Sequence, residues 1–184
     1  ESTRPGAHSI EVSEELDRIK KSLPTIQKTI SKQLLSIDTY KPEIAQFALE
    51  NGFNIVNDIT GGSSSKMLEI MSSFSSTNIL MHMQGTPETM QLNPSYDSII
   101  LDLLKFFEFR IKRAISYGIK ESNIIIDPGF GFGKRILDND KILNSLSELK
   151  ILGFPILVGL SRKSFLESIN GDDPSDRLVN TICA

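Results

Sequence analysis

Polar residues able to bind or react recur at five points of this sequence, each directly behind a short apolar run. They are Asp38-Thr39, Asn57-Asp58, His82 to Gln84, Asp127, and Ser161-Arg162-Lys163-Ser164. An ionised carboxylate only accepts hydrogen bonds, an amide accepts and donates, and an ammonium only donates. Any one of these residues also serves as a helix cap. Strand ends that all carry them point instead to one convergent polar pocket, built where the C-terminal ends of the strands meet.

The segment Asp127-Pro128-Gly129-Phe130-Gly131-Phe132-Gly133-Lys134 invites a nucleotide reading and fails both tests for it. A phosphate-binding Walker loop needs Gly at position 128 and Ser or Thr at 135, where Pro128 and Arg135 stand. A dinucleotide fingerprint begun at Gly129 needs Gly at Lys134, and one begun at Gly131 needs it at Ile136. What remains is a loop whose backbone approaches a ligand closely, with Phe130 and Phe132 available to stack on something flat. Cys183 has no His near it in sequence and reads as a small core residue. His82, between Met81 and Met83, reads as core or as support for the site, and His8 as a solvated loop residue. With one Cys and two His, far apart, a multi-cysteine zinc site and a His-rich metal site are both excluded.

The elements that must position these residues alternate along the chain. Val12, Leu16, Ile19, Leu23, Ile26 and Ile30 recur at helical spacing, with Pro24 placed to kink or split that helix. The run Leu34 to Ile37 reads as a strand. It is followed by a helix through Ile44, Phe47 and Ala48, with Pro42 in its first turn and Gly52 past its end. The unit then repeats: strands at Ile55-Val56, Ile79 to Met83, Ile124 to Ile126 and Pro155 to Leu160 alternate with helices through Met67 to Phe74, Ile100 to Ile115 and Ile142 to Leu149. Asp173-Pro174 reads as the cap and first position of a last helix. Short, continuously apolar strands in β-α units predict a parallel sheet buried on both faces, either an open doubly wound sheet or a (β/α)8 TIM barrel. The opening Glu1-Ser2-Thr3-Arg4-Pro5-Gly6 resembles the end of an earlier strand and its loop, so the chain reads as a fragment.

Composition sets the outer bounds. Lys and Arg number 20 against 23 Asp and Glu, for a net charge of −3 and a pI near 5.5. That balance lacks the basic stripe of a nucleic-acid binder. With 39% hydrophobic and 23% charged residues, the chain is too apolar for disorder. No apolar run approaches the roughly 18 residues of a membrane span.

Taken together, Ser2 to Gly6, Ser36-Ile37-Asp38-Thr39, Asn57-Asp58-Ile59, Met81 to Gly85, Asp127 to Lys134 and Gly159 to Ser164 resemble, in order and spacing, the dihydropteroate synthase family of pterin-binding barrels. The resemblance covers residues 1–184 as one partial barrel domain and implies that the visible strands are the third to the seventh. It also implies a reaction: para-aminobenzoate displaces diphosphate from hydroxymethyl-dihydropterin diphosphate, giving dihydropteroate for folate biosynthesis. Mg2+ accompanies the diphosphate, and the family's Asn-bearing metal loop lies upstream of residue 1, so no metal ligand is expected within the chain.

Carried over position by position, the resemblance assigns catalytic roles to Asp38, Asp127, Lys163 and Arg4. Asp38, Asn57 and Asp127 receive the donor-rich pterin edge, Lys163 donates to the pterin carbonyl and ring nitrogen, and Met81 forms an apolar wall. Thr3 touches the diphosphate, and Arg4 and Pro5 close over the reacting centre. The aminobenzoate lies between Pro5, Phe132 and the Lys163 stem, its carboxylate received by Ser164 and the N–H groups opening the last helix. Arg162 either contacts diphosphate or braces its loop, and Lys134 is left undecided. This is also the pocket that sulfonamide drugs take in the family. Further expectations are a homodimer for the full-length protein and a cytoplasmic location, an organelle being the alternative; neither nucleic acid nor membrane is a partner. Two rivals stand beside this reading. One is a barrel that moves a methyl group from methyltetrahydrofolate to a corrinoid, which needs neither Thr3-Arg4-Pro5 nor Ser161 to Ser164. The other is an inactive pterin-binding domain.

Overall fold

The computed structural model describes residues 1–29, 33–161, 163–166, 177, 181 and 182. The first element is α1 (Val12–Thr29), whose half-buried Val12, Leu16, Ile19 and Ile26 and buried Leu23 form the stripe expected of the helix. Pro24 does not split it. Pro24 lies on the exposed side, where the carbonyl that loses its helical partner is open to solvent. Ile30 lies outside the described residues.

Three strand–helix units follow: β1 (Ser36–Asp38) with α2 (Pro42–Glu50), β2 (Ile55–Asp58) with α3 (Ser65–Phe74), and β3 (Thr77–Met81) with α4 (Ile99–Ser116). Local chemistry sets the helix ends. Pro42 opens α2, where its missing N–H has no intrahelical partner to lose. The Ser64 hydroxyl accepts from the Met67 N–H ahead of α3, and Ser75 closes that helix in the left-handed conformation. Then come β4 (Ile124–Asp127) and α5 (Ile136–Asn144). The single helix expected through Ile142 to Leu149 is divided: α5 stops at Asn144, and a 3-10 segment, Leu146–Leu152, continues to Gly153. Asn144 Nδ2 donates back to the Asp140 carbonyl at 2.9 Å, the local competition with helix that Asn and Ser offer.

The sheet is parallel throughout, in the order β1-β2-β3-β4. The strand expected at Pro155 to Leu160 is reduced to one parallel bridge, Ile126 to Ile156. The Ile126 N–H donates to the Pro155 carbonyl and the Leu157 N–H to the Ile126 carbonyl. Beyond that rung β4 itself ends, because Pro128 has no N–H to extend the ladder and Gly129 turns left-handed. The last helix expected at Asp173-Pro174, and Cys183, lie outside the described residues. No helix among the described residues is long and apolar enough to cross a membrane.

Consecutive helices cover one face of the sheet. Val56, Leu80, Ile124 and Ile126 are sealed there against Met67, Leu68 and Met71 of α3 and Leu103 and Phe107 of α4. The other face is only partly covered, as the half-buried Ile55, Asn57 and Ile125 show. A helix layer outside and a polar-ended inner face is the α/β barrel arrangement expected from the sequence, with four strands and one bridge of it formed among the described residues.

The core assignment predicts that Phe107→Ala costs about 3–5 kcal/mol, since it opens a cavity under α4. Phe109→Ala, on the exposed side of the same helix, should change stability by less than about 0.5 kcal/mol. Urea denaturation of both variants reads this directly, and equal losses would refute the assigned helix orientation.

Candidate active site

Side chains alternate between the two faces of a strand, so register decides which polar strand ends meet. Asp38 pairs with Asn57, Asn57 with Ile79, and Ile79 with Ile125, while Met81 pairs with Asp127 one pleat further on. Asp38, Asn57, Met81 and Asp127 therefore share the inner face. They line one cavity of about 860 Å³. Thr3, Arg4 and Pro5 reach it from the first loop, Phe132 from the glycine segment, and Lys163 and Ser164 from the segment beyond the bridge. Arg162 lies outside the described residues. The other predicted site residues all line this single cavity. Asp38 and Asp127 are not on adjacent strands, since β2 with Asn57 and β3 with Met81 lie between them.

Asp58 goes the other way. One position along from Asn57, it faces the helix layer, where Oδ1 accepts from the Thr60 N–H and hydroxyl and Oδ2 from the Gly62 N–H. It builds the turn ahead of α3 and does not join the pocket. Thr39 is buried and shapes the turn ahead of α2, its hydroxyl accepting from the Lys41 N–H. His82 is core: its ring meets Phe106 edge-on at 4.7 Å, and burial lowers its pKa to about 3, so it is neutral. Phe130 is core as well, stacked on Phe165 at 5.7 Å, which leaves Phe132 as the aromatic ring facing the cavity. His8 is exposed and lies 3.3 Å from Glu88, as a loop residue.

The inner face holds acceptors in need of donors. Asn57 Nδ2 donates to Asp38 Oδ1 at 3.0 Å. A carboxylate can only accept, so this contact fixes the amide orientation. Asn57 Oδ1 is then left buried with no hydrogen-bond partner. An unsatisfied buried acceptor costs about 1–3 kcal/mol, which a ligand N–H would recover. Asp127 is 6% exposed; its Oδ1 accepts the Gly129 N–H at 2.8 Å. Burial pushes its carboxyl above the ordinary 3.8, against the pull of that N–H, Lys134 and Lys163. Burial likewise holds the Lys163 ammonium below the ordinary 10.5, Asp127 opposing. The Lys163 ammonium stands 4.3 Å over the Phe132 ring, a cation–π contact that aligns both groups at the mouth of the site.

Two loops complete the wall. The Thr3-Arg4-Pro5 turn is held by the Ala7 N–H to the Arg4 carbonyl and by the Gly6 N–H to Pro87. The glycine segment fits because Gly129 has φ +68° and an added Cβ would fall 2.0 Å from the His82 carbonyl oxygen. Ser164 opens only a three-residue 3-10 turn, Ser164–Leu166, so no described helix N-terminus stands ready for a carboxylate. Ile59, Leu157 and Arg177 also line the cavity. For Ile59 and Leu157 the alternation of the strands was the available signal; for Arg177 the sequence held none.

Among the described residues no group of three or more His, Cys, Asp or Glu side chains is gathered in one place, an arrangement that Mg2+ carried on a diphosphate does not require.

Loop geometry yields a stability prediction. Gly129→Ala meets both a left-handed backbone and the His82 carbonyl, whereas Gly153→Ala, at φ +79°, meets nothing within 4 Å. Gly153→Ala should cost about 1–2 kcal/mol for the left-handed residue alone. Gly129→Ala should lose at least about twice that, or fail to fold. Equal midpoints in thermal melts would mean that the loop does not lie against β3.

Comparison with known proteins agrees with this geometry. The family model described as pterin binding enzyme matches residues 1–184. Dihydropteroate synthase from Synechocystis is 41% identical over 98% of this chain and 63% of its own length. The Escherichia coli dihydropteroate synthase is 38% identical over 100% and 65%. The chain thus spans a little under two thirds of the length of these curated relatives. Among solved structures, the Yersinia pestis dihydropteroate synthase with a sulfonamide drug complex superposes with a TM-score of 0.93 at 36% identity, covering 100% of this chain and 66% of that one. Dihydropteroate synthase from Thermus thermophilus in complex with 4-aminobenzoate gives 0.88 at 34% identity, covering 100% and 69%. With its acids, amide and lysine gathered on one inner face and its whole length matched, the chain belongs to the pterin-binding enzyme family.

Proposed function

We propose that this chain carries the substrate site of a dihydropteroate synthase, which joins para-aminobenzoate to hydroxymethyl-dihydropterin diphosphate and releases diphosphate. The observation that carries the reading is the orphaned Asn57 oxygen beside the Asp38 and Asp127 carboxylates, with Lys163 in the same cavity. A pterin's pyrimidine edge presents N–H donors next to a carbonyl. Three acceptors and one ammonium are its complement, and a ring lacking those donors would be rejected by roughly 10⁴–10⁵ because buried acceptors would stay unsatisfied. Met81, 3% exposed, supplies an apolar wall for the ring.

In the reaction, the aromatic amine nitrogen forms a bond to the exocyclic carbon as the bond from that carbon to the diphosphate oxygen breaks. The electron pair leaves with diphosphate, and the amine gives up one proton to water or to the departing anion. Bond breaking runs ahead of bond formation, because the electron-rich pterin accepts the positive charge. Asp38 and Asp127 stabilise that charge electrostatically, strongly so where Asp127 is desolvated. Thr3 and Arg4 meet the diphosphate, and Pro5, Phe132 and the Lys163 stem flank the aminobenzoate, with Ser164 at its carboxylate. Mg2+, held by the diphosphate itself, would supply neutralisation of its charge on this reading. A cytoplasmic location fits a chain with one Cys in 184 residues. A homodimer belongs to the same reading and is measurable by light scattering of the complete protein. Thr3, Arg4 and Pro5, together with Ser161, Lys163 and Ser164, line the same cavity as the ring-reading residues, which favours this reaction over methyl transfer.

Two measurements on the complete protein test the reading. Asp127→Ala or Lys163→Ala should weaken pterin binding in calorimetry by more than about tenfold, since each removes a charge-assisted hydrogen bond. Unchanged affinity would refute the pocket assignment, and methyl transfer to a corrinoid would replace the reaction. Pterin binding should also be bell-shaped in pH. Binding needs Asp127 ionised and Lys163 protonated, so it falls as pH drops through the raised Asp127 value and again as pH climbs through the lowered Lys163 value. Both limbs lie inside the ordinary 3.8 and 10.5, and Lys163→Arg should move the alkaline limb outward.

A further inference from the structure

Lys134 does not line the cavity described above, yet it is 3% exposed and fully engaged. Its Nζ lies 2.9 Å from the Gly129 carbonyl oxygen, 2.9 Å from that of Phe132, 3.2 Å from that of His82 and 3.0 Å from His82 Nδ1. An ammonium has three protons to give and no lone pair, so this ring of acceptors uses its full donor capacity. Two of the carbonyls belong to the glycine segment and one to the residue that follows β3. The lysine therefore draws the segment that precedes it back onto the neighbouring strand end. Burial lowers its pKa to about 7, with Asp127 and Asp138 opposing and Lys163 assisting.

The consequence falls on one part of the segment more than another. The backbone of Asp127 is held by the sheet through its pairing with Met81, and its carboxylate also accepts the Gly129 N–H. Phe132 has no such support. Its N–H donates to the Gly129 carbonyl and its own carbonyl accepts from Lys134, while its ring carries the Lys163 ammonium. Around the rest of the segment Gln91 Nε2 donates to the Gly131 carbonyl, the Tyr96 hydroxyl to the Gly133 carbonyl, and the Gly131 N–H to Asn139 Oδ1. None of these grips Phe132 itself.

We propose that Lys134 is a positioning residue for the aminobenzoate half of the site: its buried ammonium clamps the Gly129 and Phe132 carbonyls against the end of β3 and so sets the Phe132 ring and, through it, Lys163. The proposal deepens the synthase reading given above and rests on it. It distinguishes Lys134, which acts through Phe132, from Lys163, which meets substrate.

The test uses the complete protein with Lys134→Met, Lys134→Gln and Lys134→Cys, the last in a Cys183→Ser background. At temperatures where a variant is folded by circular dichroism, Lys134→Met should raise KM for aminobenzoate by more than about tenfold and KM for the pterin diphosphate by less than about threefold. Alkylating Lys134→Cys with bromoethylamine rebuilds an ammonium at similar reach and should restore the aminobenzoate KM. Amide hydrogen exchange gives a readout free of turnover. In the unsubstituted protein the Gly129 and Phe132 amides should exchange as slowly as those of β4, and in Lys134→Met they should quicken while β3 and β4 stay unchanged. Both KM values rising together, no restoration on alkylation, or fast exchange at Phe132 in the unsubstituted protein would each overturn the proposal. If neither Lys134→Met nor Lys134→Gln folds, the alkylation comparison and the exchange of the unsubstituted protein still decide it. Slow exchange at Phe132 without synthase turnover in the unsubstituted protein would refute the functional reading and leave the clamp standing.

Discussion

The strict alternation of side chains across a parallel sheet is the constraint on which this molecule depends. Once Asp38 is paired with Asn57 and Met81 with Asp127, the acids and the amide must share a face. The same parity sends Val56, Leu80 and Ile126 to the helices. Binding face and core are thus one structural decision. A slip of a single residue between β1 and β2 would bury Asp38 among apolar helix residues and turn Ile37 into the cavity. The sealed outer face is what makes that slip costly, and so the apolar core enforces the geometry of the polar site.

Electrostatics then gives the inner face its character. Asp127 and Lys163 carry opposite charges, yet burial displaces both toward their neutral forms, so the cost of desolvating each outweighs their mutual attraction. The buried Asn57 oxygen adds an acceptor without a protein donor. Groups held this way are unfavourable for the fold and favourable for a ligand whose donors meet them. Such an arrangement persists because the surrounding strands and helices leave it no room to relax.

Backbone freedom is concentrated where the walls need it. Gly129 and Gly133 pass so close to the residues after β3 that an added Cβ would stand 2.0 Å and 2.5 Å from the carbonyl oxygens of His82 and Gln84. Close approach of this kind removes the space in which the loop could rearrange. Glycine makes the path accessible, and the Lys134 ammonium supplies the hydrogen bonds that hold it. Flexibility of residue type thus yields a fixed loop, which carries one aromatic ring inward, Phe132, and buries the other, Phe130.

Much of this was legible in the sequence. Apolar runs ending in Asp, Asn or Lys marked the strand ends, and Pro42 and Gly52 punctuated α2, because these signals are local and depend on backbone chemistry alone. The motifs also carried the family and nearly all of the cavity's residues. Residue type alone did not separate Asn57 from Asp58, Phe132 from Phe130, or Lys163 from Lys134; the family resemblance picked the first of each pair, and the tertiary structure gives the physical reason. In each pair the residue types are similar or identical, and one member faces the cavity while the other turns toward the core or the loop backbone. The strand expected at Pro155 to Leu160 fell short for a related reason, since a ladder needs a neighbour that continues, and β4 stops at Asp127. Sequence by itself determined which chemistry is present, because side-chain type is local. Which side chain turns inward was decided by register and packing between segments far apart in the chain, and no local pattern encodes that.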